Sequence, residues 1–272
     1  MCGIAGFITA GDDNSPEVMQ RFLTAMSNAI THRGPDDEGS WSDAEAGVWL
    51  GHRRLSIVDL SNAGHQPMRS ASGRYMIAFN GEIYNHLSLR QEIEAAGEAP
   101  SWCGHSDTET LLQGFDFWGI QATVERAVGM FAFAVWDRQN ATLILGRDRL
   151  GEKPLYFSKK NGSIYFSSEI KALLVAGIIS EPNLESISEY LNYGILDSKE
   201  TTWFKNITQV KAGEILFIDR FNKIKSNIDK IGPKKKVKVI AISKTFTFDH
   251  IKPLVDYGHE HFGENKVQEA LT

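Results

Sequence analysis

The residue with the most obvious chemical potential is the cysteine at position 2, directly after the initiator methionine. Because the Cys2 side chain is small, we expect removal of Met1, which would place a thiol and a free α-amine on the same terminal residue. A thiol has a pKa of about 8.5 and a terminal amine about 8, so near neutral pH part of the amine can accept the thiol proton. Cys2 would then carry both a nucleophile and its base. A lone cysteine is a weak signal, and Cys2 could equally be an inert residue before a buried strand.

A second pair of residues could stabilise negative charge. Asn80 and Gly81 follow an apolar stretch of strand type, where we expect the strand to break into a tight turn. Glycine permits close backbone approach, so the Gly81 N–H and the Asn80 amide could form the two donors of an oxyanion hole. An ordinary Asn-Gly turn would use the same two residues, and the sequence alone leaves both interpretations open.

Three charged residues could hold the ends of an amino acid. Arg54, beside the apolar Leu55, offers a planar guanidinium that can bind a carboxylate through two hydrogen bonds. Asp107 and Glu82 could bind an ammonium group, although Asp107 also stands where an acidic residue favours the start of a helix, and Glu82 could simply belong to a turn. If the terminal amine acts as the base, three histidines are expected to be polar residues of loops and strand ends: His32, His52 and His105.

The elements that would position these residues are predicted to be short strands interspersed with helices. Apolar runs indicate strands at 3–8, 40–49, 75–79, 130–136, 142–146, 155–158, 163–167 and 214–218. Helical spacing and capping residues indicate helices that begin after Ser15-Pro16 and at about 86–96, 107–118, 168–176 and 184–193. Asn161-Gly162, between two strands, is a strong hairpin signal because both residues tolerate positive φ. Strands joined by hairpins favour an α+β fold with antiparallel sheets.

Composition limits the class of protein. The chain has 272 residues, enough for one large or two ordinary domains, and 42% of them are hydrophobic. No apolar run approaches the ~18 residues that a membrane helix needs. The N-terminus lacks a secretion signal, and the two cysteines form no disulfide framework, so we expect a cytoplasmic protein without a membrane partner. No cysteine or histidine cluster has zinc spacing, so no metal site is expected.

Charge is unevenly distributed along the chain. The net charge is −5, yet residues 220–272 contain 11 Lys and Arg against 6 Asp and Glu. This change of sign indicates a domain boundary near residue 220. The basic triplet 234–236 is expected to be a solvated loop, and no basic stripe with interleaved aromatic residues predicts nucleic-acid binding.

Eight segments occur in an order that resembles the glutaminase domain of glutamine-hydrolysing asparagine synthetases, a class II glutamine amidotransferase. They are Cys-Gly-Ile at the terminus, HRGPD at 32–36, HRRLSIVDL at 52–60, GHQPM at 64–68, NGEIYN at 80–85, SDTE at 106–109, GMFAFAVWD at 129–137 and RDRLGEKPLYFS at 147–158. The resemblance covers residues 1–219 and implies an N-terminal-nucleophile (Ntn) hydrolase fold, a four-layer αββα sandwich.

The resemblance also implies an activity and a role for each site residue. Glutamine would be the substrate, and its side-chain amide would be hydrolysed to glutamate and ammonia. Cys2 would be the nucleophile, with Asn80 and the Gly81 amide as oxyanion donors. Glutamine would be bound through its carboxylate by Arg54 and through its amino group by Glu82 and Asp107. A strand from Arg54 to Val58, which includes Leu55, Ser56 and Ile57, would line the pocket.

Expected cofactors and partners follow from what the resemblance covers. The glutaminase reaction needs no cofactor. ATP and magnesium are not expected, because no segment resembles the ATP-dependent synthetase domain with its phosphate loop. A synthetase subunit acting in trans remains a candidate partner. The alternative is a catalytically inactive remnant, truncated or chimeric, of an asparagine synthetase.

Residues 220–272 resemble a different family, the pyridoxal-phosphate homeostasis proteins, through KVIAISKTF at 238–246 and HFGENKVQEA at 261–270. This resemblance implies the start of a TIM-like barrel with Lys244 as a Schiff-base lysine. The expected structure is a short βαβ-like fragment: a strand at 237–243, a helix at 249–257 and a strand at 261–262. Most of a barrel would be missing, so pyridoxal phosphate is not expected to bind and Lys244 is expected to be vestigial.

Overall fold

A computed structural model of the chain describes residues 1–9, 15–194, 200–219, 241–242 and 262–263. Contacts divide the chain into two units, Met1–Lys223 and Ile224–Thr272. Across the described residues, no helix is long and apolar enough to span a membrane.

The described part of the first unit contains strands and helices in alternation. Its strands are β1 (Gly3–Ile8), β2 (Asp37–Asp43), β3 (Val48–Arg54), β4 (Met68–Arg69), β5 (Tyr75–Ile83), β6 (Gly129–Asp137), β7 (Thr142–Arg147), β8 (Tyr156–Lys160), β9 (Ser163–Ser167), β10 (Thr208–Gln209) and β11 (Ile215–Asp219). Its helices are α1 (Pro16–Asn28), α2 (His86–Ala95), α3 (Asp107–Trp118), α4 (Ile120–Arg126), α5 (Ile170–Val175) and α6 (Leu184–Tyr193).

The strands form two antiparallel sheets. The six-stranded sheet has the order β10-β8-β9-β1-β3-β2, and the five-stranded sheet has the order β11-β7-β6-β5-β4. Strand β1, which begins one residue after Cys2, lies inside the six-stranded sheet between β9 and β3. Strand β5, which contains Asn80 and Gly81, lies inside the five-stranded sheet beside β6. The predicted nucleophile therefore directly precedes an interior strand of one sheet, and an interior strand of the other sheet carries the predicted oxyanion donors.

Three apolar clusters show how the layers stack. The cluster around Ile4, Leu50 and Ala78 draws on both sheets and fills the space between them. A second cluster joins the five-stranded sheet to α2, α3 and α4 through residues such as Phe79 and Phe115. The third joins the six-stranded sheet to α1 and α5. The order is helices, sheet, sheet, helices, which is the predicted four-layer αββα sandwich.

Local sequence signals explain several element boundaries. Asn161 and Gly162 have φ values of 50° and 76° and connect β8 to β9, so the predicted hairpin is confirmed. Ser106 caps α3, since its hydroxyl accepts a hydrogen bond from the Thr108 N–H at 3.1 Å. Such caps satisfy N–H groups that the first helical turn leaves free.

Three sequence predictions need correction. The predicted strand at 40–49 is a hairpin of β2 and β3, which turns at Gly47 with a φ of 67°. The predicted turn at Asn80-Gly81 does not exist, because β5 continues to Ile83 and pairs with β6 along its whole length. Helix α4 was not predicted, since the stretch 120–126 carries too few apolar residues to give a helical pattern.

Little of the second unit is described. Ala241–Ile242 and Phe262–Gly263 form two short strands, β12 and β13, which pair in parallel. These strands overlap the strands predicted at 237–243 and 261–262. Lys244 and the helix predicted at 249–257 lie outside the described residues.

Candidate active site

The backbone around Cys2 is fixed by the segment that precedes β2 and by the residue that follows β9. The Arg33 Nε donates to the Cys2 carbonyl at 2.8 Å, and Arg33 is itself paired with Glu169 at 3.0 Å. One residue further on, the Ile4 N–H donates to the Ser168 hydroxyl at 3.0 Å. Because Gly3 already pairs with Arg53 in β3, the main chain leaves Cys2 little freedom to move.

The Cys2 thiol is directed toward the residue that follows β3. Its Sγ lies 3.4 Å from the Leu55 nitrogen, which donates to it, and 3.6 Å from the Leu55 carbonyl. Burial raises the pKa of the Cys2 thiol, and the Leu55 hydrogen bond and the charges of the N-terminus, Arg54 and Arg33 oppose this rise. A thiol held mainly in its protonated form needs a base to become a nucleophile. The α-amine that removal of Met1 would expose on Cys2 is the predicted base.

Cys2 opens into a cavity of about 180 Å³ that most of the predicted site residues line. Eight of them share this cavity: Cys2, Arg54, Leu55, Ile57, Val58, Gly81, Glu82 and Asp107. Residues from four separate motifs therefore meet at one place, although up to a hundred positions separate them in the chain.

Two predicted residues lie apart from that lining. Ser56 is outside it, and its N–H donates to the Asp36 carboxylate at 2.8 Å. Strand β3 ends at Arg54, so the predicted strand from Arg54 to Val58 is wrong beyond its first residue. The Asp36 hydrogen bond draws Ser56 away from the register of β3, and the chain continues as a loop.

Asn80, the other residue outside the lining, lies within β5 and is only 1% exposed. By strand alternation its side chain faces the space between the sheets, as do Met76 and Ala78. Its Nδ2 has no hydrogen-bond partner among the described residues. A buried amide donor without an acceptor is costly, and the Asn80 Nδ2 is such a donor.

Gly81 is a glycine because β6 passes too close for a side chain. A Cβ at this position would lie 2.6 Å from the Phe131 Cβ, and it would also overlap the Met130 carbonyl. The residue therefore keeps the strand pair tight beside the cavity. The interpretation of Asn80-Gly81 as an ordinary turn is excluded by the continuous β5–β6 ladder.

Arg54 is buried, 8% exposed, and held by the loop that follows it. One terminal nitrogen donates to the Ser61 carbonyl at 3.1 Å, and the other donates to the Asp59 carbonyl. A Cβ on Gly64 would overlap the guanidinium, so Gly64 makes room for it. Its hydrogen-bond acceptors are neutral carbonyls, and its nearest carboxylate, Asp37, is 3.9 Å away, so the Arg54 charge is only weakly paired.

Asp107 stands at the first position of α3 and is 5% exposed. Its Oδ2 accepts the Ile83 N–H at 2.9 Å, which joins α3 to the end of β5. Burial raises the pKa of Asp107, and the Ile83 hydrogen bond partly offsets this effect. Asp107 therefore both begins the helix and adds negative charge to the cavity, where Glu82 from β5 adds a second carboxylate.

Sequence reasoning missed four residues that shape the site. Gln66 accepts the Phe79 N–H at 2.7 Å, and the His52 Nε2–H donates to the Phe79 carbonyl at 2.9 Å, so both peptide groups of Phe79, the residue before Asn80, are fixed. His52 was expected in a loop or at a strand end but lies buried within β3. Asp59 and Lys153 also line the cavity. All four lie inside motifs that the resemblance quoted, which was the available signal.

Two observations complete the description of the site. Met1 lines the cavity and is exposed. Over residues 1–9, 15–194, 200–219 and the two short strands of the second unit, no group of three or more His, Cys, Asp or Glu residues could hold a metal ion.

Comparison with solved structures defines the class of fold. The glutamine phosphoribosylpyrophosphate amidotransferase from Bacillus subtilis superposes with a TM-score of 0.58 at 19% sequence identity, over 80% of this chain and 47% of that one. A second structure, described as the allosteric regulatory enzyme of purine biosynthesis, gives a TM-score of 0.56 over the same shares. At these identities the likeness shows the fold alone, which is that of the Ntn-hydrolase glutamine amidotransferases.

Comparison of sequences defines the family. Residues 1–227 match the glutamine amidotransferase domain family. Glutamine-hydrolyzing asparagine synthetase 1 of Bacillus subtilis is 37% identical over 201 residues, which are 74% of this chain and 31% of that protein. A putative glutamine-hydrolyzing asparagine synthetase 2 of Methanocaldococcus jannaschii is 33% identical over 238 residues, 80% of this chain and 44% of that protein.

The chain belongs to the family of class II glutamine amidotransferase domains and is homologous to the glutaminase half of asparagine synthetases. It spans about a third of the length of the Bacillus relative.

Proposed function

We propose that this chain hydrolyses the side-chain amide of glutamine to glutamate and ammonia, with Cys2 as nucleophile. The observation that carries the proposal is the cavity itself. It brings the Cys2 thiol together with a cationic Arg54 and two carboxylates, Glu82 and Asp107. This set of charges complements a free amino acid whose side chain reaches the thiol.

The two ends of glutamine are assigned by charge. Arg54 binds the α-carboxylate, because its guanidinium is buried and its fixed partners are neutral carbonyls. Glu82 and Asp107 bind the α-ammonium group. With both ends held, the side-chain amide is directed along the cavity toward Cys2, which lowers the entropic cost of attack.

The reaction proceeds in two acyl-transfer steps. After Met1 is removed, the α-amine of Cys2 takes the thiol proton, and the thiolate attacks the amide carbon of glutamine. The resulting oxyanion is stabilised by the Asn80 Nδ2, which lacks another partner, and by the Gly81 amide. The amine then gives the proton to the leaving nitrogen, ammonia departs, and water hydrolyses the γ-glutamyl thioester.

Further aspects of the function are proposals of the same kind. The nucleophile, base and charges all come from the chain, so the glutaminase step needs no cofactor, and we expect neither ATP, magnesium nor pyridoxal phosphate to take part in it. Relatives of this chain are named asparagine synthetases, which supports a synthetase active site, supplied in trans, as the acceptor of ammonia. A thiol that must remain reduced supports a cytoplasmic location.

The proposal is tested by labelling with a glutamine-like diazoketone electrophile. Intact-mass analysis first establishes that Met1 is absent, and peptide mapping then locates the adduct. We expect one adduct on Cys2, slowed by excess glutamine, whereas the exposed Cys103 stays unmodified. Equal labelling of both cysteines, or no protection by glutamine when Cys2 is the terminal residue, would contradict the proposal.

A further inference from the structure

Lys153 is a buried cation in the cavity that the reaction described above does not use. It is 7% exposed and lines the same cavity as Cys2 and Gly81. Its backbone takes part in hydrogen bonds, but no acceptor or carboxylate partner of its Nζ is found in the described part of the chain. Lysine is almost never this buried unless its charge is paired.

The backbone of Lys153 is fixed at both of its peptide groups. Its N–H donates to the Asp148 Oδ2 at 3.0 Å, and its carbonyl accepts from the Arg147 Nε at 2.7 Å. Asp148 also accepts the N–H groups of Leu150 and Glu152, each at 3.0 Å, so the whole turn is organised around its carboxylate. The position of Lys153 is therefore built into the fold and is not the result of a loose surface side chain.

The same carboxylate shows which end of the cavity Lys153 occupies. Asp148 Oδ2 accepts the Phe131 N–H at 3.2 Å, and Phe131 pairs with Gly81 across β5 and β6. Lys153 thus approaches the cavity from the side of the predicted oxyanion donors. Arg54 is held by Asp59 and Ser61, on the loop after β3. The cavity therefore has two cations from two different elements.

With no carboxylate partner among the described residues, the Lys153 ammonium is free to meet an anion that enters the cavity. The α-carboxylate of the substrate can satisfy only one of the two cations at full strength, and Arg54 offers it the better bidentate geometry. The remaining negative charge of the reaction is on the acyl group. It develops on the amide oxygen during attack and persists on the γ-carboxylate of the product.

We propose that Lys153 is a substrate-facing cation that stabilises negative charge on the acyl oxygen, together with Asn80 and Gly81. This inference rests on the proposed glutaminase reaction and extends it to a residue for which no role has been assigned above. Because the charge it opposes is absent from neutral glutamine amide, Lys153 acts on turnover more than on substrate binding.

The kinetic test compares Lys153→Met, which keeps the length and removes the charge, with Lys153→Arg, which keeps the charge. We expect Lys153→Met to lower kcat for glutamine about tenfold or more with KM changed less than about twofold, and Lys153→Arg to retain most of the activity. The matched control is Lys159→Met, an exposed lysine on β8, which should behave as wild type. Equal kcat in wild type and a folded Lys153→Met variant would overturn the inference.

A second measurement does not need turnover, so it separates failure of this inference from failure of the proposed function. In a Cys103→Ser background, Cys2 is alkylated at low ionic strength by anionic iodoacetate and by neutral iodoacetamide. A cation beside the thiol favours the anionic reagent, so the ratio of the two rates should fall about threefold or more in Lys153→Met and stay near wild type in Lys153→Arg.

Each outcome of the alkylation experiment either supports or overturns the inference. A ratio that is unchanged in Lys153→Met places the ammonium away from the reacting thiol and overturns the inference, even if the chain is an active glutaminase. A lowered ratio in a chain that releases no glutamate supports the cation and contradicts the proposed function instead. Thermal melts establish that each variant is folded, and Lys153→Gln replaces the methionine variant if the latter does not fold.

Discussion

At the scale of single residues, the site depends on charged groups that are buried and yet held by main-chain atoms. Arg54 donates to two carbonyls, and Asp107 accepts the Ile83 N–H. Neither is neutralised by a close ion pair, since the nearest carboxylate to Arg54 is Asp37 at 3.9 Å. Both residues thus keep charge available for a zwitterionic substrate, at some cost to the stability of the folded chain.

Asp107→Asn should separate the cost of the buried charge to stability from its contribution to glutamine binding. Asparagine can still accept the Ile83 N–H, but it cannot carry charge to an ammonium group. We expect KM for glutamine to rise roughly 10- to 100-fold, because one charge-assisted hydrogen bond to the substrate is lost. Asp116→Asn, on the same helix but outside the cavity lining, is the matched control.

The pH dependence of stability gives an independent check on Asp107. Burial raises its pKa in the folded chain, so the folded state disfavours the charged form. Its contribution to stability is therefore present at acid pH and is lost as pH rises through the folded pKa. Relative to wild type, the Asn variant should gain in melting temperature between pH 4 and pH 7. A relative loss over that interval would show that the charge stabilises the fold.

At the scale of elements, the loop after β3 is the part that connects the two halves of the substrate site. Asp59 accepts the Ser61 N–H at 2.8 Å within the loop and the His105 N–H at 3.0 Å from the segment before α3. The Ser61 hydroxyl, which donates to the same carboxylate at 2.6 Å, is the largest cause that lowers the pKa of Asp59 to about 2, and the two N–H groups add to its effect. One carboxylate thus fixes the loop that holds Arg54 to the segment that leads into Asp107.

Asp59→Ala should loosen this connection without removing any substrate contact proposed above. We expect KM for glutamine to rise about tenfold and proteolysis within residues 55–61 to become faster, because the loop loses its side-chain hydrogen bonds. The control is Asp43→Ala, which removes a comparable hydrogen bond to the Ala46 N–H in the β2–β3 turn. Equal effects of the two variants would contradict a specific role for the Asp59 loop.

Elements with strong local signals could be predicted from the sequence. Predictions failed where tertiary contacts determine the end or the path of a strand. The hairpin at Asn161-Gly162 and the cap at Ser106 depend on local backbone chemistry, so both could be predicted. The end of β3 depends on Asp36, twenty residues away, and the straight path of β5 through Asn80 depends on pairing with β6. Neither dependence leaves a local pattern in the sequence.

Prediction of the site shows the same division. Cys2, Arg54 and Asp107 could be proposed because their chemistry is evident from residue type and the motif series. Lys153 could not, because a lysine within RDRLGEKPLYFS resembles any exposed lysine until the fold buries it. Its burial results from contacts between separate motifs, which no single stretch of sequence specifies.

At the scale of the whole molecule, His52 is a polar bridge between the two sheets. It lies on β3 of the six-stranded sheet, is 1% exposed, and donates to the Phe79 carbonyl on β5 of the other sheet. Burial lowers the pKa of His52 to about 4. The sandwich therefore contains a neutral histidine directly beneath the strand that carries Asn80.

This histidine should make the fold sensitive to acid. Between about pH 6.5 and 4 the unfolded chain binds a proton at His52 and the folded chain does not. The free energy of unfolding therefore decreases as the pH is lowered, by up to about 3 kcal/mol. His52→Gln, which can keep the donor to Phe79, should flatten the loss of melting temperature over this range. The exposed His105→Gln should leave it unchanged. An equally steep loss in His52→Gln would contradict the assignment.

The central claim, that terminal Cys2 hydrolyses glutamine, is tested most directly by glutamate release. The measurement uses purified chain whose mass shows that Met1 has been removed, beside Cys2→Ala and, as a matched thiol control, Cys103→Ser. We expect equal amounts of glutamate and ammonia from the mature chain and from Cys103→Ser, and none above background from Cys2→Ala. Undiminished release by Cys2→Ala, or no release by a folded chain that begins with Cys2, would contradict it.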